Sequence, residues 1–188
     1  MQSSVSYILG ANVENLTLTG TGYARDNVLT GNGGNNVLDA DGGNDTLIGR
    51  LGNDTLKGGN GNDTYMINRG DGQDKISEND ATPDNVDTLL YGAGIDPLDL
   101  VLSRQANDLR LSIHGTTDQV TIQNWYGGSV NQVESIQAGN GQYLLNNQVQ
   151  QLIQAMASFT NQNGVTWDQA IAQRPQDVQT ILAANWQN

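Results

Sequence analysis

The chain has 188 residues and no cysteine, and its 20 acidic side chains against 8 Lys and Arg give a net charge of −12. Disulfides and thiolate metal sites are therefore excluded, and the charge argues against nucleic acid or an anionic membrane as the main partner while favouring cations. With 36% hydrophobic residues and 23 glycines, core packing alone does not hold such a chain together, and no apolar run is long enough to span a membrane.

Residues 1–19 read as a lead-in strand. "MQSSVSYILGANVENLTL" lacks the basic flank and long apolar stretch of a cleavable signal peptide, so any export signal must lie elsewhere.

Residues 20–80 say nearly the same thing several times. Asp45, Asp54 and Asp63 stand nine residues apart, as do Leu47, Leu56 and Tyr65. In register the copies are "GYARDNVLT" from Gly22, "GNGGNNVLD" from Gly31, "ADGGNDTLI" from Ala40, "GRLGNDTLK" from Gly49 and "GGNGNDTYM" from Gly58. After two extra residues comes "RGDGQDKIS" from Arg69. A fourth-position glycine allows the positive-φ backbone of a tight turn. The eighth position is apolar in every copy: Leu29, Leu38, Leu47, Leu56, Tyr65 and Ile76. Each copy thus reads as a turn followed by a short strand with one inward side chain, and the stack as a mainly β, parallel β-helix or β-roll.

Such a coil buries one large apolar side chain per nine ordered residues, which is too little to offset the backbone entropy of a glycine-rich chain. Stacking also brings like charges together. A bound cation resolves both difficulties, and carboxylate and turn-carbonyl oxygens are hard ligands that suit Ca²⁺. The candidate ligands are Asn27, Asn36, Asp45, Asp54, Asp63 and Asp74, with the turn glycines Gly43, Gly49, Gly52, Gly58 and Gly61. If each copy is half a coil, one edge stacks residues 27, 45 and 63 and the other 36, 54 and 74. Asp45 and Asp54 then each face two neighbours, while Asp63 and Asp74 face one. Asn27 and Asn36 offer only a neutral oxygen, which makes the outer positions weaker.

Residues 81–146 alternate. Leu98, Leu100 and Leu102 share one face, Leu109, Leu111 and Ile113 another, and Val120 and Ile122 a third, with turn-like breaks between them, as expected of a small antiparallel β domain capping the roll. His114, the sole histidine, has no partner motif and reads as a strand-end polar residue rather than a catalytic base. Trp125-Tyr126 reads as an aromatic pair closing the sheet, with a sugar-stacking platform as the alternative. Asp96-Pro97 reads as a turn before "LDL".

Residues 147–188 are glutamine-rich and nearly uncharged, and their apolar residues fall at helical spacing. Val149, Leu152, Ile153, Met156 and Phe159 make one stripe, Thr166 and Gln169 form a potential capping box, and Pro175 suits a first helical turn. Neither His-Glu-x-x-His nor Gly-x-Ser-x-Gly occurs, so no enzymatic activity is expected of this chain.

These copies resemble the RTX, or haemolysin-type, calcium-binding nonapeptide Gly-Gly-x-Gly-x-Asp-x-(large apolar)-x. "GGNGNDTYM" matches at every defined position, whereas Asn27 and Asn36 replace the acid and Arg25 replaces a glycine in the early copies. The resemblance implies several bound Ca²⁺ ions, secretion by a type I system to the exterior or surface of a Gram-negative bacterium, and an amphipathic export signal in residues 147–188 that the exporter reads. It further implies that the chain is the C-terminal part of a larger toxin, adhesin or exoenzyme, and that some relatives cleave themselves at Asp-Pro. The alternative is a constitutively folded adhesive or carbohydrate-binding module with purely structural calcium.

Overall fold

A computed structural model describes residues 6–10, 15–17 and 25–188 of the chain. The expected lead-in contributes two strands, β1 (Ser6–Ile8) and β2 (Asn15–Thr17). Residues 1–5, 11–14 and 18–24, which include Gly22 at the head of the first copy, lie outside the described residues.

Each repeat then yields one strand: β3 (Val28–Thr30), β4 (Val37–Asp39), β5 (Thr46–Ile48), β6 (Thr55–Lys57), β7 (Thr64–Ile67) and β8 (Gln73–Ile76). Successive strands alternate between two sheets, so odd and even strands stack separately, each parallel to the strand one coil away. All six eighth-position side chains point between the sheets and have no exposed surface. They form two facing columns in register: Leu29, Leu47 and Tyr65 in one sheet, Leu38, Leu56 and Ile76 in the other.

The turns stack as closely as the strands. Gly61 has φ +126°, and a Cβ there would be driven into the Gly43 carbonyl oxygen of the preceding coil. Gly43, at φ +134°, meets the Arg25 carbonyl in the same way. Positive φ and backbone-on-backbone contact together require glycine at residues 43, 52, 61 and 72.

Both sheets continue without interruption past residue 80. β9 (Thr88–Tyr91) pairs parallel with β7, and β13 (Ser135–Gln137) pairs parallel with β9. In the other sheet β10 (Leu100–Gln105), β11 (Asp108–Ile113) and β12 (Gln119–Ile122) form the antiparallel unit expected from the alternation over 98–122, and β12 joins β8 in parallel. β14 (Tyr143–Leu145) closes the first sheet against β13. The inner apolar columns run on through Leu89 and Ile136 on one side and Ile122 and Leu109 on the other. Residues 81–146 therefore cap the roll by prolonging its two sheets and ending each in an antiparallel turn.

Three helices cover this end: α1 (Asn146–Asn163), α2 (Trp167–Gln173) and α3 (Pro175–Ala183). Val149, Leu152 and Met156 of α1 are buried, with Ile153 and Phe159 packed at the margin of the core. The Thr166 hydroxyl accepts the Gln169 N–H and the Gln169 side chain accepts the Thr166 N–H at 2.9 Å, so the capping box forms, and Pro175 opens α3. No helix among the described residues is long and apolar enough to cross a membrane.

Candidate metal centre

The sixth-position residues stand directly above one another at the start of each strand. On one edge the Asn27 N–H donates to Asp45 Oδ1 at 2.7 Å and the Asp45 N–H to Asp63 Oδ1 at 2.8 Å. On the other the Asn36 N–H donates to Asp54 Oδ1 at 2.6 Å and the Asp54 N–H to Asp74 Oδ1 at 2.9 Å. The expected columns 27/45/63 and 36/54/74 are thus brought together.

The columns are not of equal length. The Asp63 N–H continues to Asp87 Oδ1 at 2.8 Å and the Asp87 N–H to Glu134 Oε2 at 2.9 Å, so Asp63 lies inside its column rather than at its end. The expectation that Asp63 faces one neighbour is corrected accordingly. The second column stops at Asp74, whose partner in β12 is Val120. Asp87 escaped the repeat count because residues 81–86 lengthen the connection, and Glu134 because its coil no longer follows the nonapeptide. The surviving signal is Asp87-Thr88-Leu89, which repeats Asp45-Thr46-Leu47 and Asp54-Thr55-Leu56.

The preceding asparagines also have a role that spacing did not suggest. The Asn62 N–H donates to Asn44 Oδ1 and the Asn53 N–H to Asn35 Oδ1, at 2.9 and 2.8 Å. This exposed amide ladder runs in the opposite sense to the buried carboxylate ladder beside it. It explains why Asn-Asp recurs as a pair.

Each aspartate spends one oxygen on the ladder. The other is buried and unpartnered: Oδ2 of Asp45, Asp54, Asp63 and Asp74 has no hydrogen-bond donor. Burial pushes the Asp54 carboxyl up to about 6 and those of Asp63 and Asp74 to about 7, hydrogen bonds from the neighbouring coil only partly opposing it. Asp45 is raised for the same reason. None of these carboxylates forms an ion pair with Lys, Arg or His among the described residues. Buried anionic oxygens without donors fit a hard oxygen-seeking dication such as Ca²⁺. Asp54 Oδ2 lies where a side chain on Gly49 would go and Asp63 Oδ2 where one on Gly58 would go, while the Gly49 carbonyl crowds Gly31 beside Asn36 Oδ1. Gly49 and Gly58 thus border the carboxylate oxygens, whereas Gly43, Gly52 and Gly61 hold the stacked turns. Asn27 instead turns its amide donor to Asp45 Oδ1 at 3.2 Å, a contact that moderates charge at the outermost position without a cation.

Other singled-out residues lie apart. His114 Nδ1 meets Asp168 Oδ1 at 2.6 Å, tying the end of β11 to α2. Trp125 is buried and Arg104 lies over the Tyr126 ring at 4.1 Å from its centroid, so no open aromatic platform is presented. Pro97 begins a 3-10 turn before β10.

Comparison with protein families agrees with this geometry. Residues 21–56 and 41–76 match the RTX calcium-binding nonapeptide repeat (4 copies). Residues 108–141, from β11 to beyond β13, match the haemolysin-type calcium binding protein related domain.

Proposed function

This chain is an RTX protein whose nonapeptide repeats bind calcium, and we propose that it serves as the calcium-triggered folding and export module of a larger secreted toxin, adhesin or exoenzyme. The observation that carries the reading is the pair of buried carboxylate columns. Without a counterion they oppose closure of the roll; with Ca²⁺ they hold its coils together, so metal binding and folding are one equilibrium.

Where free Ca²⁺ is scarce the chain stays open enough to thread a type I exporter, and at millimolar calcium outside a Gram-negative cell the usual ~0.1–1 mM affinity of extracellular sites is exceeded and the roll closes. Residues 147–188 supply the address. Val149, Leu152 and Met156 on their apolar stripe are buried once the end strands have formed, so the exporter must read the tail before folding hides it. Chemistry of the mature protein resides outside this module.

The test is export of a slow-folding reporter fused to residues 147–188 through a matching type I system, with and without Ile153→Asp. Passage that depends on the tail and falls with the substitution supports the reading. Equal export without the tail refutes it and favours a folded adhesive module with structural calcium.

A further inference from the structure

One turn of the roll departs from the repeat by adding a negative charge where the earlier turns on its edge have none. The Ser77 N–H bonds the Leu56 carbonyl and Ile76 pairs with Leu56, which sets Ser77 beside Lys57 and Glu78 beside Gly58. Glu78 thus occupies the first position of its turn, where earlier turns on that edge carry Ala40 and Gly58. A Cβ on Gly58 would collide with Asp63 Oδ2 and the Tyr65 hydroxyl. The space beside the first position is occupied by oxygen atoms, and at residue 78 the chain sends a carboxylate into it.

Glu78 is 3% exposed. One oxygen accepts the Tyr65 hydroxyl, which itself accepts the Gly58 N–H at 2.9 Å; the other has no donor, and neither has Asp63 Oδ2. Oxygens from Asp63, Glu78 and Asp87 all lie within 4.8 Å of one another. Ligands bound to one Ca²⁺ at about 2.3–2.6 Å can be at most about 5 Å apart, so the three carboxylates can share a single ion without leaving their positions. No Lys, Arg or His pairs with any of them among the described residues.

We propose that Asp63, Glu78 and Asp87 form a three-carboxylate Ca²⁺ site, oriented by the Tyr65 hydroxyl, and that it is the tightest site of the roll. A site between two repeat turns has two carboxylates; here a third anion enters a buried pocket, and ligand charge is a main determinant of calcium affinity. The site lies at the last full turn before β9, so its ion joins the repeats to the strands that prolong them. The proposal rests on calcium binding by the repeats and is independent of the export reading.

Calorimetric Ca²⁺ titration of the full chain near neutral pH, with Glu78→Gln and Glu78→Gly, tests it; the second variant restores the residue that the repeat itself carries. The expected result is a loss of about tenfold or more in the tightest affinity class in both variants, with the remaining sites within about twofold. In parallel, the first equivalent of Tb³⁺ bound to the unmodified chain should show tyrosine-sensitised emission that falls by about half or more in Tyr65→Phe. A tightest class unchanged in both Glu78 variants would overturn the proposal and make Glu78 a protonated, metal-free contact. First-equivalent Tb³⁺ emission indifferent to Tyr65 would overturn it as well. Failure of both Glu78 variants to fold in saturating calcium would also count against it, because losing one ligand from one ion leaves the other sites able to close the roll.

Discussion

Replacing Asp63 by Ala probes the column at its middle. The Asp45 N–H, which donates to Asp63 Oδ1 at 2.8 Å, is left buried without its charged acceptor. The Asp63 N–H keeps Asp87, so the damage is confined to one ladder bond and to the ions that Asp63 helps to hold. A hydrogen bond to a charged acceptor contributes about 1.5–3 kcal/mol. Spread over about three ions, one for each of the carboxylate pairs 45/63, 63/87 and 54/74 if every pair takes one, at about 1.4 kcal/mol per tenfold for each, this raises the calcium midpoint about two- to fivefold. Loss of a ligand on both sides adds to the shift and flattens the transition. Asp74→Ala removes an equivalent ladder bond, from the Asp54 N–H at 2.9 Å, but Val120 follows it and no shared position lies beyond. Calcium titrations followed by circular dichroism should therefore rank Asp63→Ala at least level with Asp45→Ala and above Asp74→Ala, with the shallower slope. A smaller shift at Asp63 than at Asp74 would refute the continuation of the column through Asp87.

Further outcomes follow from the same geometry. Burial lifts the carboxyls of Asp54, Asp63, Asp74, Asp87 and Glu78 from their ordinary 3.8 or 4.5 to about 6, 7, 7, 7 and 8 in the ion-free roll. The folded form then binds more protons than the unfolded chain, and its stability falls as pH rises through that window; in EDTA the chain should be more compact near pH 5 than near pH 8, and the opposite trend in hydrodynamic radius would contradict it. Gly61→Ala forces a Cβ toward the Gly43 carbonyl at a backbone angle that L-residues rarely adopt, so it should destabilise the calcium-loaded roll by more than about 1 kcal/mol in urea titrations, and a neutral effect would mean that the turns are not stacked this closely. Mg²⁺, which demands a small octahedral shell, should fail to restore strand signal at concentrations where Ca²⁺ succeeds; equal recovery in circular dichroism would count against sites selective for calcium.

Local periodicity carried much of the architecture. Leu29 to Ile76 at the eighth position identified the inner columns, and the nine-residue count, halved into two edges, placed residues 45 with 63 and 54 with 74. The Thr166–Gln169 box and Pro175 marked helix starts because capping is encoded within a few residues. What remained hidden was non-local. The parallel pairing of β9 with β7, β13 with β9 and β12 with β8 joins segments separated by long connections, and alternation within a strand does not reveal its partner. Asp87 was obscured by the lengthened 81–86 connection, Glu134 by a coil that no longer follows the nonapeptide, and Glu78 because its place is recognisable only once Ser77 is seen beside Lys57. Helical spacing likewise established the stripe of residues 147–188 but not that it packs against β10 and β14.

Calcium binding and closure of the roll form one equilibrium in this reading, and circular dichroism with hydrodynamic radius on the same sample in EDTA and then in excess Ca²⁺ tests it most directly. Removal of calcium at neutral pH should abolish the strand signal of residues 20–80 and expand the chain, and re-addition should restore both. A spectrum and radius that EDTA leaves unchanged would contradict the account.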